Sequence, residues 1–128
     1  MILFQKIIYR HELQINPDRS YVFGDNLERQ GMGGQAKNMR YEPNAIGVAT
    51  KVAPSNMEFA FFSDQLYEIA AVTNDLARVD AALKAGRVVV VPRDGIGTGL
   101  SELAPRSPLI YEMIRAFFGA RITGDLPW

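Results

Sequence analysis

The chain has 128 residues, enough for one domain with a substantial core, and we expect a single domain over residues 1–128. The charges of its 14 basic and 14 acidic side chains cancel, and the resulting net charge of zero argues against a binding surface for polymeric nucleic acid. The lack of cysteine excludes disulfides and thiolate chemistry, and the one histidine, His11, cannot form a metal cluster, so we expect neither metal nor cofactor. Apolar runs are too short to span a membrane and no signal peptide is recognisable, so the expected location is the cytoplasm. The sequence does not indicate an oligomeric state.

The first part of the chain predicts strands separated by one turn. Residues 2–9 are mostly apolar and too few for a stable helix, so they predict a first strand. Residues 12–15 alternate polar and apolar side chains and predict a second short strand, with a turn at residues 16–18. Residues 20–23 predict a third strand.

A first glycine-rich segment, residues 24–35, follows that strand and is predicted to be a loop. It contains Gly24, Gly31, Gly33 and Gly34, whose bare backbone adopts positive φ easily and can aim N–H groups at an anion. A short helix over residues 35–40 is expected next, with its first amides adding partial positive charge. Residues 45–50 predict another strand, which ends at Lys51.

The middle of the chain predicts a loop and a long helix. Residues 52–62 have no clear period, and their three phenylalanines are expected to pack in the core rather than cover a ligand. Ser63 is the expected N-cap of a helix that reaches Lys84, with Asp64 in its first turn. An apolar stripe predicts the buried face of this helix: Leu66, Ile69, Leu76 and Leu83.

Four consecutive valines at residues 88–91 predict a strand that is buried on both faces at the centre of the sheet. A second glycine-rich segment, residues 93–99, follows this strand directly. The last helix is predicted to begin at Ser107 and Pro108 and to end at Gly119.

These elements predict an α/β fold with three layers, in which a mixed or mostly parallel sheet has helices on both faces. Both glycine-rich segments follow strands, so we expect them to lie side by side at the carboxyl edge of the sheet and to form one cleft. The candidate catalytic residues there are Asp25, Asn26 and Lys51. The candidate ligand-binding residues are Gly24, Gly31, Gly33, Gly34, Gln35, Arg93, Asp94, Gly95, Gly97, Thr98 and Gly99.

The order of elements and the local motifs resemble the macro domain, a module that binds ADP-ribose. Asn26 is followed after four residues by Gly-Met-Gly-Gly, and residues 92–99 read Pro-Arg-Asp-Gly-Ile-Gly-Thr-Gly. The strings FGDNL, GMGGQA, PNAIGVATK and GIGTGL are also similar to a small family of phage and bacterial proteins of unknown function. Gly24 and Asp25 depart from the macro pattern, which has two small residues there. No counterpart of the adenine-recognising aspartate or of the final macro strand is recognisable.

The resemblance implies that Gly33, Gly34 and Gln35 border the distal ribose and the phosphates, with Asn26 beside that ribose. It implies that Gly97, Thr98 and Gly99 wrap the diphosphate. We therefore expect a protein that binds ADP-ribose or a related nucleotide diphosphate.

Hydrolysis of an ADP-ribose conjugate is an open extension of this expectation. Asp25 would activate water for attack at the ribose C1′, Asn26 would orient that water or the ribose, and Lys51 or Arg93 would offset phosphate charge. In a protein that only binds, Asp25 would instead tie down the loop, and Arg93 and Asp94 would pair at the surface.

Two alternatives belong to other classes. One is a Rossmann-like protein that binds nucleoside monophosphates through the same glycine-rich segments. The other is a non-catalytic interaction protein in which these segments are only tight turns.

Overall fold

The computed structural model describes all residues from 1 to 128, which form four strands and five α-helices. One short 3₁₀ turn, Glu58–Ala60, interrupts the connection between the third strand and the third helix. The elements in chain order are β1 (Ile2–Gln5), α1 (Arg10–Ile15), β2 (Ser20–Asn26), α2 (Ala36–Met39), β3 (Ala45–Lys51), α3 (Leu66–Lys84), β4 (Val89–Pro92), α4 (Leu103–Arg106) and α5 (Pro108–Gly119).

The four strands form one sheet in the order β1-β4-β2-β3, and every neighbouring pair is parallel. The predicted central strand is confirmed, because β4 lies between β1 and β2 and Val89, Val90 and Val91 are 0% exposed. Their side chains alternate between two cores, one on each face of the sheet. The chain therefore has the predicted α/β fold with three layers, and its sheet is entirely parallel.

The helices divide between the faces according to the direction in which the chain crosses the sheet. The crossovers β1-α1-β2 and β2-α2-β3 run one way, and α1 and α2 pack on one face, beside Leu13 and Met39. The return from β3 to β4 passes through α3 on the other face, where α5 also packs. This arrangement follows from the right-handedness of parallel crossovers. As a result, the chain leaves the adjacent strands β2 and β4 toward opposite faces, which opens a crevice at their carboxyl ends.

Several predicted strand assignments differ from the structure. The first strand ends at Gln5 rather than Tyr9, and residues 12–15 belong to α1 rather than to a strand. The Glu12 side chain caps the start of this helix by accepting a hydrogen bond from the Tyr9 N–H at 2.7 Å. Only Leu13 is buried from this helix, so the sequence carries no helical stripe. β2 is longer than predicted and includes Gly24, Asp25 and Asn26, because these residues pair with β3.

The start and the buried face of α3 also differ from prediction. Ser63 is not the N-cap; Gln65 is, and the Glu68 side chain closes a capping box with it. The buried face includes Glu68 and Asp75 besides the apolar positions, and Leu66 is 84% exposed. Phe61 and Phe62 are buried as expected, whereas Phe59 is 65% exposed.

The last part of the chain agrees with prediction except for one element. α5 spans Pro108–Gly119 as expected, but the short helix α4 was not predicted. No strand follows Gly119. None of the helices has the length and apolar character needed to cross a membrane.

Candidate functional site

A cleft of about 590 Å³ opens at the carboxyl ends of β2 and β4, in the crevice between them. The β2–α2 loop (residues 27–35) forms one wall, and the β4–α4 loop (residues 93–102) forms the opposite wall. Every predicted site residue except Arg93 lines this cleft; Arg93 is exposed elsewhere. The lining members are Gly24, Asp25, Asn26, Gly31, Gly33, Gly34, Gln35, Lys51, Asp94, Gly95, Gly97, Thr98 and Gly99.

Both loops present backbone N–H groups that have no acceptor within the protein. None of the amides from residue 31 to residue 36 donates a hydrogen bond to another protein group, and neither do those from residue 97 to residue 101. Such runs of amides are the usual donors to phosphate oxygens in glycine-rich loops. The helix α2 has only four residues, so the predicted contribution of its dipole is small.

The glycines of the cleft have two different roles. Gly95 and Gly97 have φ of +104° and +84°, and an added Cβ would lie 2.5 Å from Trp128 Cγ or 2.6 Å from Leu103 Cδ2, respectively. These two glycines are required by packing. An added Cβ at Gly33 or Gly99 would meet no atom within 4 Å, and neither has a positive φ. The absence of a side chain at Gly33 and Gly99 therefore leaves space in the cleft and is not required for packing of the protein.

Asp25 is 7% exposed and is bound on several sides. Its Oδ1 accepts hydrogen bonds from the Asn26 N–H at 2.8 Å and from Arg40 Nη2 at 2.5 Å, and Arg29 Nη1 lies 3.3 Å from Oδ2. Arg40 also donates to the carbonyl oxygens of Gln30 and Gly31. Asp25 and Arg40 thus anchor the first wall of the cleft, and the carboxylate is engaged by protein groups.

Arg29 connects this site to the opposite face of the sheet. Its Nη2 donates to both oxygens of Asp75 at 2.9 Å, and Asp75 in turn accepts the Ala49 N–H. Ala49 belongs to the edge strand β3, so Asp75 satisfies a backbone group that the sheet leaves unpaired. Arg29 therefore passes around the edge of the sheet, from Asp25 on one side to Asp75 on the other.

Gln35 joins the two walls. Its Oε1 accepts the Gly24 N–H at 2.7 Å, and its Nε2 donates to the Gly95 carbonyl at 3.0 Å. The resemblance implied contact between Gln35 and a ribose, but here both ends of the amide bind the protein.

Lys51 and Asn26 are two buried polar side chains in the cleft with unused binding capacity. Lys51 is 9% exposed, its ammonium donates to the Ser55 carbonyl, and it lies 4.7 Å from the centre of the Phe61 ring. It forms no ion pair with a carboxylate. Burial lowers its pKa; Glu102 partly opposes this and Arg106 adds to it. The Asn26 amide donates to the Gln30 carbonyl, but its buried Oδ1 has no donor.

Comparison with known proteins defines the family without defining a function. A family described as "Family of unknown function (DUF7831)" matches residues 3–117. The chain belongs to this family. No curated protein and no solved structure matches the chain. The residues matched to DUF7831 include both walls of the cleft and every residue of the Asp25 network.

Sequence reasoning missed several residues in and beside the cleft. Arg40 and Arg29 were missed because Asp25 and Asp75, the carboxylates that they bind, lie 15 and 46 residues away along the chain. No periodic pattern in the sequence marks such a pair. A charged residue at the end of a short predicted helix was the only signal for Arg40. The other missed lining residues are Gln30, Met32, Ala36, Pro54, Ser55, Asn56, Leu100 and Ser101. No group of three or more His, Asp and Glu side chains has the arrangement of a metal site.

Proposed function

We propose that the cleft binds a nucleotide with a diphosphate, of the ADP-ribose class. The observation that carries this proposal is the pair of loops whose amides, at residues 31–36 and 97–101, have no acceptor in the protein. A diphosphate offers several charged oxygens to such amides. The cleft volume of about 590 Å³ lies in the range of small-molecule sites.

Lys51 would supply the positive charge that balances the phosphates. A buried ammonium without a carboxylate partner is costly, as the lowered pKa of Lys51 indicates, and a bound anion would offset that cost. The unpartnered Asn26 Oδ1 needs a hydrogen-bond donor, which a ribose hydroxyl would provide. The loop amides thus match the phosphate oxygens of a nucleotide, Lys51 matches their negative charge, and the Asn26 Oδ1 matches a ribose hydroxyl.

The contacts of Asp25 favour binding over hydrolysis by this residue. A general base needs a free oxygen that can reach water, whereas both Asp25 oxygens are bound by arginine. The proposal includes the cytoplasmic location expected from the sequence, where nucleotides are made and used.

A thermal-shift panel of ADP-ribose, NAD, AMP and inorganic phosphate tests the proposal, with calorimetry on any ligand that raises the melting temperature. A ligand at a hundred times its dissociation constant stabilises the folded state by about 2.7 kcal/mol, which is readily measured. We expect ADP-ribose to give the largest shift. A preference for AMP would support the monophosphate alternative, and a flat panel would support an interaction protein.

Two lysine variants make the panel specific to the site. Lys51→Met keeps the length of the side chain over Phe61 and removes the charge, so it should weaken ADP-ribose binding at least tenfold. Lys84→Met, at an exposed position outside the cleft, is the matched control and should leave affinity unchanged. Equal affinities in all three proteins would contradict the proposed phosphate site. Release of ADP-ribose from a modified peptide by the wild type would extend the function to hydrolysis.

A further inference from the structure

The side chain of Gln35, at the end of the first wall, binds both the carboxyl end of β2 and the second wall of the cleft. Gly24 lies in β2 and Gly95 lies in the β4–α4 loop, 60 residues after Gln35. The amide accepts from the first at 2.7 Å and donates to the second at 3.0 Å. These two bonds need an acceptor and a donor on the same side chain, which the glutamine amide provides.

The point to which Gln35 binds on the second wall is rigid. Gly95 is buried and packs under the Trp128 ring, and Gly97 packs against Leu103. The first wall is anchored by Arg40, which binds the carbonyls of Gln30 and Gly31. Between that anchor and Gln35, Gly33 and Gly34 have no neighbour within 4 Å of an added Cβ. Gln35 is therefore the attachment that ties the open part of the first wall to the rigid second wall.

We propose that Gln35 is a positioning residue that sets the separation of the two walls and thereby selects ligands with two linked phosphates. This inference rests on the proposed function. A ligand that contacts the amides of both walls gains affinity when their separation is fixed before binding, because less ordering occurs on association. A ligand whose single phosphate contacts one wall gains little from that separation.

The test compares ADP with AMP, which differ by one phosphate, in the wild type and in Gln35→Met. Methionine has a similar length and volume but makes neither hydrogen bond. We expect Gln35→Met to weaken ADP binding at least tenfold and AMP binding less than threefold, measured by calorimetry. Gln14→Met is the matched control, because the exposed Gln14 only donates to Glu42, and it should change neither affinity.

A second variant, Gln35→Asn, keeps a neutral amide but is one methylene too short to bind both the Gly24 N–H and the Gly95 carbonyl. It should weaken ADP binding more than AMP binding too, which keeps the test decisive if Gln35→Met does not fold. Equal losses for both ligands, or no loss in either variant, would overturn the positioning role while leaving nucleotide binding intact. Failure of the wild type to bind ADP, AMP or ADP-ribose would overturn the proposed function and this inference together.

Discussion

Among the charged residues of the cleft, Asp25 has a side chain that is bound by three protein groups, namely the Asn26 N–H, Arg40 and Arg29. Its side chain is 4% exposed, and that of Arg40 is 6% exposed, so their ion pair is shielded from water. Arg29 adds a weaker contact because its side chain is 39% exposed. Removal of one member of a buried pair leaves the other charge uncompensated, which costs far more than loss of a surface pair. Asp25 is therefore expected to contribute mainly to stability.

Asp25→Asn should lower the free energy of unfolding by about 3 kcal/mol, as measured by urea denaturation at neutral pH. Asp94→Asn is the control, since Asp94 is exposed and forms no ion pair; its stability should stay within about 0.5 kcal/mol of the wild type. If Asp25→Asn were as stable as the wild type and turned over an ADP-ribosylated peptide more slowly, Asp25 would be a general base instead.

Asp64 was expected in the first turn of α3, but it caps α5. Its carboxylate accepts hydrogen bonds from the Ser107 hydroxyl and from the backbone N–H groups of Leu109 and Ile110. Burial works to raise the pKa of Asp64, but these three hydrogen bonds outweigh it and lower the pKa overall. The stabilisation is therefore complete above the unfolded pKa of about 3.9 and is lost as the pH falls through the lower folded value.

Asp64→Asn should lower stability by about 1–2 kcal/mol at pH 7, because the cap is weakened. The difference from the wild type should shrink as the pH falls below about 4, where the unfolded chain becomes protonated, and should vanish once the pH is below the lower pKa of the folded carboxylate. Urea denaturation at several pH values measures this, with Asp18→Asn as an exposed control. A difference that stayed constant down to pH 2 would contradict the assigned cap.

At the scale of elements, the glycines of the two loops are needed for different reasons. Gly97 is held by a positive φ and by contact with Leu103 at the start of α4, whereas Gly99 has open space beside it. The positive φ expected of the glycine-rich segments therefore applies to Gly97 and to Gly34, at +56°, but not to Gly99. The same loop contains one glycine needed for folding and one that only leaves the cleft open.

Gly99→Val and Gly97→Val should separate these two roles. Gly99→Val should keep the wild-type melting temperature but weaken ADP-ribose binding at least tenfold, because its side chain enters space beside the free amides. Gly97→Val should lose at least about 2 kcal/mol of stability through strain and overlap with Leu103. Melting curves and calorimetry on both variants measure this. Unchanged affinity in a folded Gly99→Val protein would count against phosphate binding by this loop.

At the scale of the whole molecule, the cleft lies where the chain leaves neighbouring parallel strands toward opposite faces. Trp128 connects this position to the core, because its ring packs against Gly95 on one side and against Phe4 and Phe118 on others. It is the only tryptophan, so its fluorescence reports on the second wall of the cleft.

ADP-ribose should change the intrinsic fluorescence of the wild-type protein with the same dissociation constant that calorimetry gives. The expected change arises because ligand contacts in the β4–α4 loop alter the surroundings of the indole ring, which lies against that loop. Gly99→Val should move the midpoint of this change to ligand concentrations at least tenfold higher than in the wild type. Calorimetric binding without any spectral change would mean that the ligand does not contact the second wall.

The sequence by itself determined the elements whose signals are local. Four valines predicted the central strand, Pro108 and Gly119 bounded α5, and glycines after two strands predicted a shared cleft; each depends on residues adjacent in the chain. Only the tertiary structure decided which polar side chains meet there. Asp64 caps a helix 46 residues away, Arg29 reaches Asp75 across 46 residues, and Gln35 reaches Gly95 across 60. Such pairs have no periodic or compositional pattern, because their partners become neighbours only after the parallel crossovers have brought distant segments to one edge of the sheet.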